Sequence, residues 1–270
     1  MAGNNPGHRV LIAAHRGTSG GNIPCNTLVS YELALRDGAD IIELDVAKSL
    51  DGELFCFHPG MEPVMYADPT PIAMMLGDQV KKRYLRNQDL EETGYTAPYL
   101  DAAFEQLKNR CQIAVDKFWM AVPEITACIQ RHGLQEQVLC KIPDKRKYYE
   151  MCAAQQEKLP VLPVIQHEDR STEAPYAKEI RIAGVEVLFD REDAPVASEA
   201  YIQAQHQAGR LLWVNPIVYK KSAVLTAGHT DDAAVGGNPA FGWGWLVDKG
   251  FDILQTDWTA QLLRWLKENR

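Results

Sequence analysis

Along this chain of 270 residues, apolar runs of strand length alternate with helical patterns, and that alternation is the strongest constraint on its fold. The runs are Arg9–Ala14, Ala39–Val46, Glu53–Phe57, Cys111–Val115, Gln137–Lys141, Val161–Gln166, Val185–Phe189, Leu211–Val214 and Phe251–Thr256. Most are continuously apolar, as parallel strands covered on both faces read. Helical patterns fall at Thr27–Asp37, Leu100–Lys108, Val122–His132, Lys145–Gln156, Pro175–Ala183, Ser198–Gly209 and Trp258–Asn269, with Gly133 as a C-terminal stop for the third. Repeated strand–helix units predict a parallel α/β fold, and about eight of them in one chain predict a closed TIM-type (β/α)8 barrel. An open doubly wound sheet is the alternative. Gly17, Gly20 and Gly21 follow the first run but do not match the GxGxxG turn such a sheet usually carries.

Two stretches break the rhythm. Pro59–Pro98, rich in Met and Pro, reads as a small subdomain inserted into a single domain spanning 1–270. Pro216–Trp245 is rich in Gly, Ala and Asp. In a barrel both belong at the strand C-terminal face, where active sites are built.

The net charge of −8 provides no basic field for nucleic acid, so a site handling phosphate must gather positive charge locally. No apolar run reaches the roughly 20 residues a membrane span requires. Met1–His8 is polar and lacks a signal-type apolar stretch, which predicts a cytoplasmic protein. The six cysteines form no CxxC pair; Cys56, Cys111 and Cys140 lie in apolar runs and read as buried free thiols.

The predicted strand ends collect polar groups: His15-Arg16-Gly17, Glu43-Leu44-Asp45, His58, Asp116-Lys117, Lys141, Asn215 and Asp257. Glu43 and Asp45, two apart on a strand, share a face. Such a pair either holds a divalent cation through oxygen, or splits into a turn cap and an Arg or Lys partner. A lone histidine at a strand end is usually structural; His15 and His58, bracketing the carboxylates, suggest proton transfer. Arg16 offers either a planar fork for phosphate oxygens or a salt bridge to Glu43 or Asp45.

Taken in order, His15-Arg16-Gly17, Asn26-Thr27, Gly38-Ala39-Asp40, Glu43-Leu44-Asp45-Val46, Asp51-Gly52 and His58 resemble the N-terminal pattern of glycerophosphodiester phosphodiesterases. Pro98-Tyr99-Leu100, Val115-Asp116-Lys117, Val138–Lys141, Trp213-Val214-Asn215 and Thr256-Asp257 are similar to that family's later strand ends. The resemblance implies a TIM barrel with an insertion after the second strand region. It also implies one divalent ion, Mg²⁺ or Ca²⁺, held by Glu43, Asp45 and Asp116, with His15 and His58 as catalytic acid and base and Arg16 on the phosphate. The implied reaction is hydrolysis of a glycerophosphodiester to sn-glycerol 3-phosphate and an alcohol, directly or through a cyclic phosphate.

Three departures mark a divergent branch. Cys25 stands where the family usually has Glu, His58-Pro59 replaces His-Asp, and Asp116-Lys117 replaces a Glu with Lys two residues on. Either Lys117 or Lys141 is then the phosphate-facing ammonium. Trp213 and Trp258 are candidate walls of a leaving-group pocket, as is Phe241. For Trp243 and Trp245 the favoured reading is barrel-top packing or a homo-oligomer contact. His229, Asp231 and Asp232 read as a solvated acidic loop before a second metal site, and His167-Glu168-Asp169 as a loop or a substrate contact. Competing substrates are sugar phosphodiesters and lysophospholipids, with hydrolysis or cyclisation as outcome. A non-catalytic barrel would need a lost ligand or histidine, and the set is intact.

Overall fold

A computed structural model describes residues 9–169 and 172–270, so the polar Met1–His8 segment lies outside the described residues. Eight parallel strands close a barrel. They are β1 (Leu11–His15), β2 (Ile41–Lys48), β3 (Gln112–Asp116), β4 (Val138–Pro143), β5 (Pro160–Gln166), β6 (Gly184–Leu188), β7 (Leu211–Val214) and β8 (Ile253–Thr256). Each pairs with the next, and β8 pairs with β1 through Leu11↔Ile253, which leaves no open edge. The interior is filled rather than hollow: Ala13, Ile41, Ala114, Leu139, Leu162, Trp213 and Ile253 pack together inside the ring.

Outside the ring two larger apolar clusters lie under the helices, one around Phe104, Ile125 and Tyr149, the other around Phe189, Leu246 and Phe251. Helix Leu28–Arg36 starts on a capping box, Thr27 and Ser30 satisfying each other's backbone N–H. Helix Val122–His132 ends at Gly133, whose φ of 67° is the left-handed stop expected there.

One predicted helix is absent. Pro175–Ala183 forms only a single turn at Ala174–Tyr176, then a short strand, Arg181–Ile182, beside β5. Pairing of Val161 with Ile182 and burial of Ile180 hold this stretch extended, overriding a weak helical pattern. Cys56 and Cys140 are buried free thiols, but Cys111 is only half-buried.

After β2 the chain doubles back through an antiparallel strand, Leu54–Cys56. Residues 59–98 then form short helical turns and a two-stranded sheet, Tyr84–Arg86 with Glu92–Thr96. They share an apolar cluster with the hairpin, around Phe55, Phe57, Ile72 and Val80. The connection after β7 carries helix Asp231–Val235 and a π-helical turn, Ala240–Gly244. No helix among the described residues is long and apolar enough to cross a membrane.

Candidate active site

Strand register assembles the acidic groups. Glu43 and Asp45 point inward from β2, and parallel pairing sets His15 beside Glu43 on one side and Asp116 beside Asp45 on the other. Carboxylate oxygens of Glu43, Asp45 and Asp116 consequently lie within 4.8 Å of one another.

Two cations reach this trio from strand ends that turn through left-handed backbone. Arg16 (φ 58°) leaves β1 with its N–H donating to Glu43 Oε2 at 3.0 Å and its Nε 2.8 Å from Asp45 Oδ2. Asn26 (φ 55°) braces the same carboxylate, donating from Nδ2 to Asp45 Oδ2 at 2.9 Å while its Oδ1 accepts from the Asp45 N–H and from Tyr31 Oη. Lys117 (φ 61°) sits one residue past β3, so strand alternation no longer governs it. Its Nζ turns back to 2.7 Å from Asp116 Oδ2 and 3.6 Å from Asp45 Oδ1.

The imidazoles flank this cluster. His15 Nδ1 lies 2.9 Å from Asp257 Oδ1, one residue past β8, and a carboxylate facing Nδ1 favours the tautomer that carries a proton there. His58 brings Nε2 to 3.9 Å from Asp45 Oδ1. Burial pushes its pKa down, with Arg16 and Lys117 adding to the effect against Asp45.

Burial, and next the Asp45 charge, push Glu43 up to about 7. Burial also works against ionisation of Asp45, but Arg16, His58 and Lys117 hold it well below the usual carboxylate range. Arg16 and Lys117 are raised despite burial, Arg16 chiefly by Asp45 and Lys117 chiefly by Asp116. Asp45 Oδ1 is buried without a hydrogen-bond partner among the described residues. Three converging carboxylates, one with a buried oxygen that accepts no hydrogen bond and one pushed toward protonation, fit a hard divalent cation held by oxygen.

Other sequence candidates fall elsewhere. Lys141 is buried in the barrel, 2.7 Å from Glu186 Oε2, donating to Gln255 Oε1 at 2.6 Å and lying 4.2 Å above the Trp213 ring. Trp213 has no exposed surface and donates Nε1 to Asn215, which donates onward to Glu186. Trp258 stands exposed after β8, and Phe241 is also exposed.

The expected solvated loop is instead a packed one. His229 is buried between Phe241 O and Glu192 and stacks on Trp245 at 4.0 Å. Asp231 accepts from Trp243 Nε1, Thr256 Oγ1 and the Asp257 N–H. Trp243 and Trp245 are thus packing residues of this connection. His167 pairs with Asp190, and Asp169 accepts from Tyr201 Oη.

Sequence alone gives no individual role to Asn26, Asp257 or Glu186, and reads Asp231 as part of an acidic loop. Asn26 and Asp257 stand among the motif residues, which is the signal they carry; Glu186 and the bonds of Asp231 are set by contacts between strands and connections.

Comparisons with known proteins agree with the barrel fold. A family model described as a domain of unknown function, DUF4996, matches residues 159–266. A glycerophosphodiester phosphodiesterase from Bacillus altitudinis is 32% identical over 129 residues, 47% of this chain and 50% of that protein. The curated relatives are matched over only 15–50% of their own length. Among solved structures, a glycerophosphoryl diester phosphodiesterase from Parabacteroides distasonis shares the fold at a TM-score of 0.74 and 15% identity, over 97% of this chain and 88% of that one. A phosphodiesterase from Oleispira antarctica, solved with its product sn-glycerol-3-phosphate, aligns at 0.68 and 16% identity over 95% and 96%. The chain resembles glycerophosphodiester phosphodiesterases in sequence over part of its length, and shares their barrel over nearly all of it.

Proposed function

We propose that the protein is a divalent-metal-dependent phosphodiesterase that hydrolyses a glycerophosphodiester to sn-glycerol 3-phosphate and an alcohol. The observation that carries this reading is the convergence of Glu43, Asp45 and Asp116 within 4.8 Å, with Arg16 and Lys117 against them and His15 and His58 alongside. The three carboxylates would hold one Mg²⁺ or Ca²⁺ ion. When bound, that ion supplies Lewis-acid charge and a template for the phosphoryl oxygens.

The chain's own residues divide the remaining work. Arg16 and Lys117 bind and neutralise phosphoryl oxygens. His15, its Nδ1 held by Asp257, presents Nε2 as general base to the attacking hydroxyl. His58 lies across Asp45 from Arg16 and protonates the leaving alkoxide. We take residues 59–98 as an inserted cap and Trp258 as its opposing wall; Lys141 and Trp213, which sit in the barrel interior, support the site from below.

The test is release of glycerol 3-phosphate from glycerophosphocholine, abolished by EDTA and restored by metal. His15→Ala and His58→Ala are expected to fold normally and to lose roughly 10²–10⁴-fold in kcat. Wild-type turnover in either variant, or full activity in EDTA, refutes the assignment.

A further inference from the structure

Outside the ring, three groups that the phosphodiesterase reading does not use come together between two helices. Helix Leu100–Leu107 carries Asp101 in its first turn, and helix Val122–His132 carries Cys128 and His132. Residues four apart on a helix share a face, so Cys128 and His132 turn to the same side. A carboxylate oxygen of Asp101, the Cys128 sulfur and an imidazole nitrogen of His132 all lie within 4.8 Å of one another.

The two helices pack together, and the groups between them are held in place. His132 Nε2 lies 2.7 Å from Asp101 Oδ1, and its ring meets Phe104 edge-on at 5.8 Å. Lys108 Nζ donates to His132 O at 2.6 Å, which ties the end of one helix to the end of the other. Cys128 has no exposed surface and belongs to the apolar cluster around Phe104 and Ile125. Arg131 also reaches Asp101 Oδ1, at 2.7 Å, but its side chain is 59% exposed, and a pair so open to water contributes little. A bound cation can displace it into solvent.

Ion pairing accounts for Asp101, His132 and Arg131, but not for the sulfur beside them. Sulfur, nitrogen and oxygen together are the donor set of a borderline-soft ion such as Zn²⁺; Mg²⁺ and Ca²⁺ take oxygen alone. Bonds of about 2.0–2.3 Å to a tetrahedral zinc ion put neighbouring donors roughly 3–4 Å apart, so a small turn of the half-exposed Asp101 side chain closes the triangle. The fourth position is left to water.

We propose that Asp101, Cys128 and His132 form a second metal site, selective for Zn²⁺ and ions of its class, which staples the two helices. It does not depend on the reading of the barrel mouth. Burial, and next the Asp101 charge, push the Cys128 thiol up to about 12, so the metal–sulfur bond forms as the S–H bond breaks and its proton passes to the buffer.

The probe is Co²⁺, because a sulfur-bound cobalt ion gains a charge-transfer band in the near ultraviolet and one held by oxygen alone does not. The full chain, kept reduced and titrated with Co²⁺, should develop this band, release at least one proton per ion and lose the band when Zn²⁺ is added. Asp116→Asn, at the barrel mouth, should keep the band. Cys128→Ser should abolish it, and His132→Ala and Asp101→Asn should each weaken cobalt affinity at least about tenfold. Zn²⁺ should also raise the unfolding midpoint of Asp116→Asn, and raise it much less once His132→Ala is added.

A wild-type chain that shows no such band in saturating Co²⁺ overturns the proposal. So does a band that survives Cys128→Ser, which would belong to another of the six cysteines. Should Cys128→Ser fail to fold, the other two variants decide: unchanged cobalt affinity in both leaves Asp101, Cys128 and His132 as ion pairing and packing only.

Discussion

Lys141 shows how much a single residue's surroundings decide. Its ammonium is enclosed by Glu186, Gln255 and the Trp213 ring, and burial, which would neutralise it, is outweighed first by Glu186 and next by Glu43. Lys117, by contrast, stands at the mouth on Asp116 and Asp45. Lys117 is therefore the ammonium to which the proposed function assigns the phosphate, and Lys141 is the counter-ion of a buried glutamate. Lys141→Met should cost about 3–5 kcal/mol, because Glu186 is left charged and unpaired in the interior. Lys141→Met combined with Glu186→Leu should recover much of that loss. Thermal unfolding of the single and double variants measures both; a single variant as stable as wild type would show that Glu186 does not depend on Lys141. The sequence could not separate the two lysines, since each ends a strand. What separates them is Glu186, a residue on a different strand 45 positions away from Lys141.

At the level of elements, the strands were legible and the turns that leave them were not. Continuous apolar runs located all eight barrel strands, and alternation correctly put Glu43 and Asp45 on one face. Alternation by itself would send adjacent residues such as Asp116 and Lys117 to opposite faces, yet the left-handed turn at Lys117, one residue past the strand, returns both to the cluster. Arg16 and Asn26 use the same conformation, which costs an L-residue roughly 1–2 kcal/mol and which no sequence pattern here announced. Gly17 is the residue that lets the β1 turn close: its φ is 77°, and a Cβ there would sit 2.6 Å from the Ser30 backbone carbonyl carbon. Ser30 Oγ in turn donates to Arg16 O at 3.1 Å. Gly17→Ala should thus lose about 2 kcal/mol or more of stability and displace Arg16 from Asp45. The paired readout is the unfolding midpoint and the KM for glycerophosphocholine. A lower midpoint with unchanged KM would show that the turn matters to folding but does not aim Arg16.

For the molecule as a whole, closure of the barrel brings together groups that the chain keeps far apart. His15 and Asp257 meet only because β8 pairs with β1, and Asp45 meets Asp116 only because β3 pairs with β2. The resemblance in the first 59 residues named most of this set, whereas Asp257 and the Asp231 bonds that fix its backbone needed the closed ring. Convergence also concentrates charge: three carboxylates face two cations, and among the described residues one buried carboxylate oxygen, Asp45 Oδ1, accepts no hydrogen bond. A folded chain that holds a site of this kind, and an unfolded chain that does not, must differ in affinity for a divalent ion. Saturating Mg²⁺ or Ca²⁺ should therefore raise the unfolding midpoint, by an amount equivalent to about 2.7 kcal/mol at a hundred times the dissociation constant. Asp116→Asn leaves the barrel core untouched and removes one ligand, so its midpoint should respond much less to the same titration. Calorimetry with and without each metal reads the difference directly and requires no substrate. A midpoint indifferent to both ions in the wild type would mean that Arg16 and Lys117 alone balance the trio, and the metal-dependent reading would fall.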